Sequence, residues 1–336
     1  MKTLLIAREN APVSRYGLPI PYGWYRIMLS DELGVGVVQT VRLFDREWVL
    51  FRDAKGQVGL FEPHCPHLGA HLGVGGKVDG ELLRCPFHNW GFDHQGFCRH
   101  IPYARSMPPS LSREPVLKGL PVVEANRMIW AWFHPTGAAP MWQVPDVPET
   151  ANPGWHTRHH PVFEIRTIAQ EIAENSVDAA HLKYVHGQAA ALDVGSTYTG
   201  HLRTTALKGP MSIEDSRGKR IDCEFSVDFE QSGPGIQVVR MSRHVSLVML
   251  ITITPVESEL THLRFSFLHP DYSEDPVRQA LVEDFIQEQV GERGQYVGVV
   301  ADLPIWNNKI YHRKPLLCDG DGKIVEFRRW FSQFYQ

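Results

Sequence analysis

Cys65-Pro66-His67 and Cys85-Pro86-Phe87-His88, with 17 residues between them, decide how this chain is read. Each short loop carries one thiol and one imidazole, in C-x-H…C-x-x-H order. Two thiolates on one iron and two imidazoles on the other are the ligand set of a mixed [2Fe–2S] centre. Exchanging thiolate for neutral imidazole removes negative charge and raises the reduction potential. Gly69, Gly73, Gly75, Gly76, Gly91 and Gly96 allow tight bends around a bulky group. Pro66 and Pro86 stiffen the loops and each withhold an N–H. A tetrahedral zinc ion also takes two Cys and two His, but zinc fingers normally pair Cys with Cys and His with His along the chain. Here each loop has one of each, and the spacing favours the cluster.

A second constellation lies in Glu174-Asn175-Ser-Val-Asp178-Ala-Ala-His181-Leu-Lys-Tyr184-Val-His186-Gly187. Two His and one carboxylate on one face of a metal leave the other face open for O2 and substrate, the arrangement of non-haem Fe(II) oxygenases. His181 and His186 are five apart, about 140° around an ideal helix. They converge only if the helix bends or ends between them; Gly187 is a stop signal, and a π-bulge would also serve. Asp178 stands one turn before His181, on the same side, a spacing suited to a carboxylate that accepts the free N–H of the imidazole. The third donor must come from elsewhere. Asp302, in Val299-Val300-Ala301-Asp302-Leu303-Pro304-Ile305-Trp306, sits in an apolar run where an unpaired carboxylate is costly and metal coordination removes the cost. A cap or turn aspartate before Pro304 is the competing reading, and Glu171 and Glu174 are the alternative donors.

The chain has 336 residues, enough for two ordinary domains, and a net charge of −4, which gives no sign of a nucleic-acid surface. Cys98, Cys223 and Cys318 show no pairing pattern, so a reducing cytoplasm is expected. Residues 1–9 have too short an apolar run for a secretory signal. Residues 245–253 are far short of a membrane span and read as a buried strand. His94, His100, His134, His159 and His160 read as surface or turn residues.

The expected fold class is α+β. Residues 22–135 are read as an all-β [2Fe–2S] domain, from the strand-like runs 37–43, 47–51, 58–61, 81–84 and 128–133. A Pro-rich link over 135–153 leads out of it. Residues 136–336, with 1–21 packing alongside, are read as a catalytic domain of helix-grip type. It would open with a strand at 162–168 and the iron helix. A large antiparallel sheet follows, where residues 221–229 and 263–267 alternate as a sheet with one wet face does. A helix over 275–302, loosened at Gly291, Gly294 and Gly298, then returns a ligand to the iron. Val238, Met241, Val248, Met249, Leu250 and Phe267 are material either for an apolar pocket or for ordinary sheet core.

The stretches Cys65-Pro-His67-Leu-Gly69-Ala-His71-Leu and Cys85-Pro-Phe-His88-Asn-Trp90-Gly-Phe-Asp93 resemble the Rieske oxygenase family. The tail, from Ile305-Trp306-Asn307-Asn308-Lys309 to Arg328-Arg329-Trp330-Phe331-Ser332-Gln333-Phe334-Tyr335, is similar to two of its branches, the 3-ketosteroid 9α-hydroxylase oxygenase component and the Neverland-type cholesterol 7-desaturases. A packed terminal segment is the plain reading of Arg328-Arg329-Trp330. The resemblance implies a [2Fe–2S] cluster on Cys65, His67, Cys85 and His88, and a mononuclear Fe(II) on His181, His186 and Asp302. It implies O2-dependent hydroxylation or desaturation of a steroid-like substrate, with electrons from a NAD(P)H-linked ferredoxin or flavin reductase. No G-x-G-x-x-G follows a strand here, so the electrons come from a separate protein. It also implies a homotrimer in which Asp178 bridges His181 to a cluster His of the neighbouring chain.

Two rival readings stand beside this. One is a Rieske oxygenase for an aromatic acid, a methoxyarene or another polycyclic natural product. The other is an electron carrier with a Rieske centre alone, against which the motif at 178–186 argues.

Overall fold

The computed structural model describes residues 14–186, 195–214, 220–291 and 298–336; Gly187, Gly294 and the run 1–9 lie outside the described residues. Four strands come before the first ligand loop: β1 (Gly23–Leu29), β2 (Val38–Leu43), β3 (Arg46–Arg52) and β4 (Val58–Phe61). β5 (Lys77–Asp79) and β6 (Leu82–Arg84) lie between the loops, and β7 (Gly91–Phe92) and β8 (Cys98–His100) follow the second. One helical turn, α1 (Pro109–Ser112), leads to β9 (Val122–Ala125) and β10 (Met128–Phe133). The strands form three sheets, β1–β10–β9, β2–β3–β4 and β5–β6–β7–β8, with antiparallel pairing throughout.

β3 shows why this region reads as strands without alternation. Val49 and Phe51 pack toward Cys65 and Cys85, while Trp48 and Leu50 pack on Tyr25, Ile27 and Ile129. A strand covered on both faces is apolar throughout. At its end the buried Arg52 is fully engaged. Its guanidinium forks onto Glu124 at 2.7 and 2.8 Å and donates to the carbonyls of Leu33, Gly56 and Ser30.

Next come β11 (Trp155–His159), β12 (Phe163–Ile165), α2 (Ala169–Glu174), α3 (Ala179–Tyr184) and β13 (Thr197–Thr199). The long strands β14 (Leu202–Glu214), β15 (Arg220–Ser232), β16 (Ile236–Ser242), β17 (Ser246–Glu257) and β18 (Leu260–Pro270) follow. The chain ends in α4 (Pro276–Val290), α5 (Val299–Asn308) and α6 (Ile324–Phe331). β11 to β18 make one eight-stranded sheet in the order β11–β18–β17–β16–β15–β14–β13, with β12 also on β18.

Alternation along β17 sends Leu247, Met249 and Ile253 toward the helices and Val248 and Leu250 to the opposite face. There Trp24, Trp130 and Trp132 of β1 and β10 cover them. The middle of the large sheet is thus covered on both faces, whereas Thr204, Ala206 and Lys208 of β14 stay exposed on one. At 263–267 the expected wet face holds only in part: Arg264 is half-buried at the edge of an open cavity. Ser266 is fully buried, and Arg26 Nη1 lies 3.5 Å from its hydroxyl. The Pro-rich segment is wedged in rather than loose. The Trp142 ring meets Trp132 edge-on at 4.6 Å and stacks on His201 at 4.7 Å, and its carbonyl accepts from Trp24 Nε1 at 2.6 Å.

Two helices depart from expectation. The single helix expected over 275–302 is two, because Gly291 (φ +68°) caps α4 in the left-handed conformation and Gly298 (φ +53°) opens α5. The iron helix is also broken. α2 ends at Glu174, a 3-10 turn spans Asn175–Val177, and α3 restarts with Asp178 as its cap.

Two expectations follow for stability. The Arg52 contact, opposed by partial burial, holds the Glu124 carboxyl below its ordinary value. Such a group stabilises the fold above its unfolded pKa, about 4.3, and loses that contribution as pH falls through its lower folded value. Glu124→Gln is expected to lower unfolding free energy at pH 7 by about 0.5 kcal/mol, since solvent screens the exposed carboxylate, with the difference vanishing in acid, as read by urea unfolding over pH 2–7. At Gly298 an added Cβ would lie 2.2 Å from the carbonyl oxygens of Glu288 and Gln289, at a positive φ. Gly298→Ala is expected to lower the urea midpoint by the equivalent of about 1–3 kcal/mol or more.

Candidate metal centres

The two Cys–His loops are built alike. In residues 65–70 the Cys65 N–H donates to the Ala70 carbonyl and the Gly69 N–H to the Cys65 carbonyl, both at 2.9 Å. In residues 85–90 the Cys85 N–H donates to the Trp90 carbonyl at 2.8 Å and the Asn89 N–H to the Cys85 carbonyl at 3.0 Å. The fifth residue of each loop, Gly69 (φ +76°) and Asn89 (φ +58°), is left-handed, a conformation Gly and Asn tolerate.

Each loop thus buries its Cys and keeps its His half-buried. The Cys65 thiol touches that of Cys85. Burial, only partly offset by the N–H groups of His67 and Leu68 aimed at the sulfur, pushes Cys65 up to about 12. The His67 and His88 rings meet at 4.9 Å and 72°. His67 lies flat on Trp90 at 4.4 Å, and Trp90 Nε1 donates to the Tyr103 hydroxyl at 2.8 Å. Thiol is set against thiol and imidazole against imidazole, which matches one iron per pair. His88 Nδ1 is buried without a hydrogen-bond partner, an open donor position at the centre of the arrangement. Among the described residues these four do not close to the mutual separation of His181, His186 and Asp302, as a single tetrahedral ion would require of them. The residues fit a two-iron cluster better than zinc. Leu68, Val74, Phe87 and Tyr103 stand exposed around the loop tips.

The second centre combines α3, the residues just after it and the first turn of α5. His181 Nε2 and His186 Nε2 are 2.8 Å apart, and the Asp302 oxygens lie 3.3 Å from the first and 3.4 Å from the second. Helix α3 stops at Tyr184, so His186 swings back toward His181. Imidazole donors on one ion, each at about 2.0–2.1 Å, stand roughly this far apart. Burial would depress His181, but contact with the Asp302 carboxylate reverses this and leaves it raised. Burial would raise Asp302, but the two imidazoles hold it below the usual carboxylate range. His181 Nδ1 faces the Asp178 main-chain carbonyl at 3.2 Å, which fixes the tautomer with Nε2 free. The expected contact through the Asp178 carboxylate is thereby corrected. That carboxylate instead caps α3, accepting from the His181 backbone N–H at 3.1 Å.

The other carboxylates are engaged elsewhere. Glu171 pairs with Lys309 and Glu174 forks onto Arg328 at 2.7 Å. Arg328 therefore braces α2, and Trp330 and Phe331 of the same helix are buried, as the plain reading of the tail expects. Arg203, which the sequence did not single out, is buried and donates to the Ser176 hydroxyl at 2.6 Å and carbonyl at 3.2 Å, clamping the 3-10 turn before α3. In front of the three donors opens a cavity of about 690 Å³ between the sheet and the helices. Of the six apolar residues expected as pocket material, Met249 lines it. Val238, Val248 and Leu250 face the β1–β10 side, and Phe267 and Met241 belong to the packing under the helices.

Residues 23–121 match the Rieske [2Fe-2S] domain and residues 131–335 match the 3-ketosteroid 9alpha-hydroxylase C-terminal domain. The chain is 32% identical to a cholesterol 7-desaturase of Xenopus laevis over 94% of its own length and 72% of that protein's. It is 28% identical to a probable 3-ketosteroid-9-alpha-monooxygenase oxygenase component of Rhodococcus rhodochrous, over 97% and 82%. The crystal structure of dicamba monooxygenase bound to dicamba has the same fold, with a TM-score of 0.67 at 20% identity over 95% of this chain and 98% of that one. A [2Fe–2S] domain, an antiparallel sheet gripping the helices, and two His and an Asp converging on one point are joined here in one chain. The chain belongs to the Rieske non-haem iron oxygenases, in the branch defined by the 3-ketosteroid 9α-hydroxylase C-terminal domain.

Proposed function

We propose that this protein is the oxygenase component of a system that hydroxylates or desaturates a steroid or sterol. The observation that carries this reading is the cavity: two imidazoles and a carboxylate open onto a space of about 690 Å³ whose sheet side is mainly apolar. Such a volume suits a small organic molecule, and its walls suit a fused-ring one. The relatives named for cholesterol and 3-ketosteroid chemistry support the same class.

In this reading Cys65, His67, Cys85 and His88 hold the [2Fe–2S] cluster and His181, His186 and Asp302 hold the iron. When bound, the cluster supplies single electrons and the iron supplies the position at which O2 is activated. The protein's part is orientation and exclusion. The Asp178 carbonyl keeps His181 Nε2 unprotonated, Asp302 supplies negative charge, and the apolar walls keep water from the reacting face. The two parts divide as 22–135 for the cluster and 136–336 for the iron. Electrons come from a separate ferredoxin or flavin reductase that draws on NAD(P)H.

We further propose a homotrimer in which one chain's cluster faces its neighbour's iron, with Asp178 on the route. The exposed apolar rim of Leu68, Val74, Phe87 and Tyr103 supports docking at the loop tips. Asp178 borders a separate open groove with Glu174 and Arg328, which also supports the route. A reducing cytoplasm is the compartment we infer. Cys65, Cys85, Cys98 and Cys318 are all free thiols, and no described helix is long and apolar enough to cross a membrane.

Aerobic incubation with a steroid panel, a reductase and NADH, read by mass spectrometry, tests the substrate class. Turnover of an aromatic acid with no steroid product would replace it. Asp302→Ala is expected to bring iron from about three to about two per chain, abolish turnover and keep the cluster's absorption spectrum. Normal turnover in that variant would remove Asp302 from the iron. Asp178→Asn is expected to keep both centres filled while product formation slows by about 100-fold or more. A fully active monomer by mass measurement would eliminate the cross-chain route.

A further inference from the structure

The sheet wall of the cavity is formed by Val227, Phe229, Val239, Met249 and Ile251, and one polar residue interrupts it. Gln237 stands on β16 two positions before Val239, so both point to the helix side. It is only 6% exposed, and its Nε2 has no hydrogen-bond partner. Its cross-strand neighbours are Ile251 and Gln231. Gln231 does not satisfy it. That side chain donates to the Gly233 carbonyl at 3.2 Å, and its own Oε1 is unpartnered.

Several other polar groups of the cavity are engaged or lie outside, and Gln289 sits at its helix side, away from the sheet wall. The Ser176 hydroxyl bonds the Ala173 carbonyl and Arg203, the Asn175 amide lies 3.4 Å from His181 Nε2, and Glu288 is exposed at the rim. A buried amide donor without a partner is costly, and an apolar side chain would avoid the cost. The side chain lines the cavity, and once its amide turns toward that space a ligand that is apolar along its length and carries an oxygen at one end relieves the cost.

We propose that Gln237 is the polar anchor of the cavity, hydrogen-bonding the C3 oxygen of a steroid, whether hydroxyl or ketone, and so fixing which way round the rings enter. The proposal rests on the steroid reading above and deepens it. A carboxamide can donate to a ketone, and can donate to or accept from a hydroxyl, so both oxidation levels at C3 are held by the same group. The anchor sets orientation, and orientation decides which ring carbon is presented to the reacting position.

The test uses the purified holoenzyme and its Gln237→Met and Gln237→Leu variants. Dissociation constants are measured for cholesterol, cholest-4-en-3-one and cholest-5-ene, which lacks only the C3 oxygen, together with melting temperatures without ligand. The wild type is expected to bind both oxygenated steroids about tenfold or more tightly than cholest-5-ene. The variants are expected to bind all three alike, at the cholest-5-ene level, with melting temperatures equal to or above wild type. A preference retained in the variants, or none in the wild type, overturns the anchor and leaves the steroid reading standing. A lower melting temperature with loss of all binding makes Gln237 a structural residue and also overturns it. Failure of the wild type to bind any of the three, with turnover of another substrate class, overturns the steroid reading and the anchor together.

Discussion

Two imidazole nitrogens 2.8 Å apart beside a buried carboxylate do not stay together unaided. They are held by the stiffness of what carries them. Much of the second half of the chain supplies that stiffness. Asp178 caps α3, Arg203 clamps the turn before it, and Lys309 and Arg328 neutralise the two buried glutamates of α2. The tail then closes over the helices with Phe327, Phe331 and Phe334 fully buried. Apart from the Asp178 cap, each of these contacts joins segments distant in sequence, so the geometry at His181, His186 and Asp302 is a property of the whole sheet-and-helix layer.

The cluster loops depend on much less. Each closes through its own backbone hydrogen bonds within six residues and needs one left-handed residue, Gly69 or Asn89. This difference explains what was legible in the sequence. The Cys–His loops and the pair His181 and His186 could be read because their spacing is local. Asp302 was visible as an ionic residue in an apolar run and through resemblance. The break that places it was not. Gly291 and Gly298 read as weak points in one helix, whereas a left-handed cap and a positive-φ start make two helices with different directions.

Other features were illegible for a related reason. A three-residue spacing brings Asp178 near His181 but does not say whether its carboxylate or its carbonyl meets the ring. The capping geometry decides for the carbonyl. Alternation at 263–267 identifies a strand but not what meets its second face, where Arg26 of β1 reaches the Ser266 hydroxyl from over two hundred residues away. Arg203 carries no motif at all. Gln237 left a faint signal, a lone amide in the apolar run Ile236-Gln237-Val238-Val239.

The order of these parts along the chain has a consequence for biosynthesis. The ribosome delivers His181 and His186 together, Asp302 much later, and Arg328 almost last. Domains fold as synthesis proceeds, at about 5–20 residues per second, so for several seconds a pair of imidazoles is available without its carboxylate. Imidazole donors alone follow the Irving–Williams order and favour copper over iron, and a carboxylate moves the donor set toward harder ions. If these three residues hold the metal, the late arrival of Asp302 would make the completed fold, rather than the nascent chain, the state in which its identity is chosen.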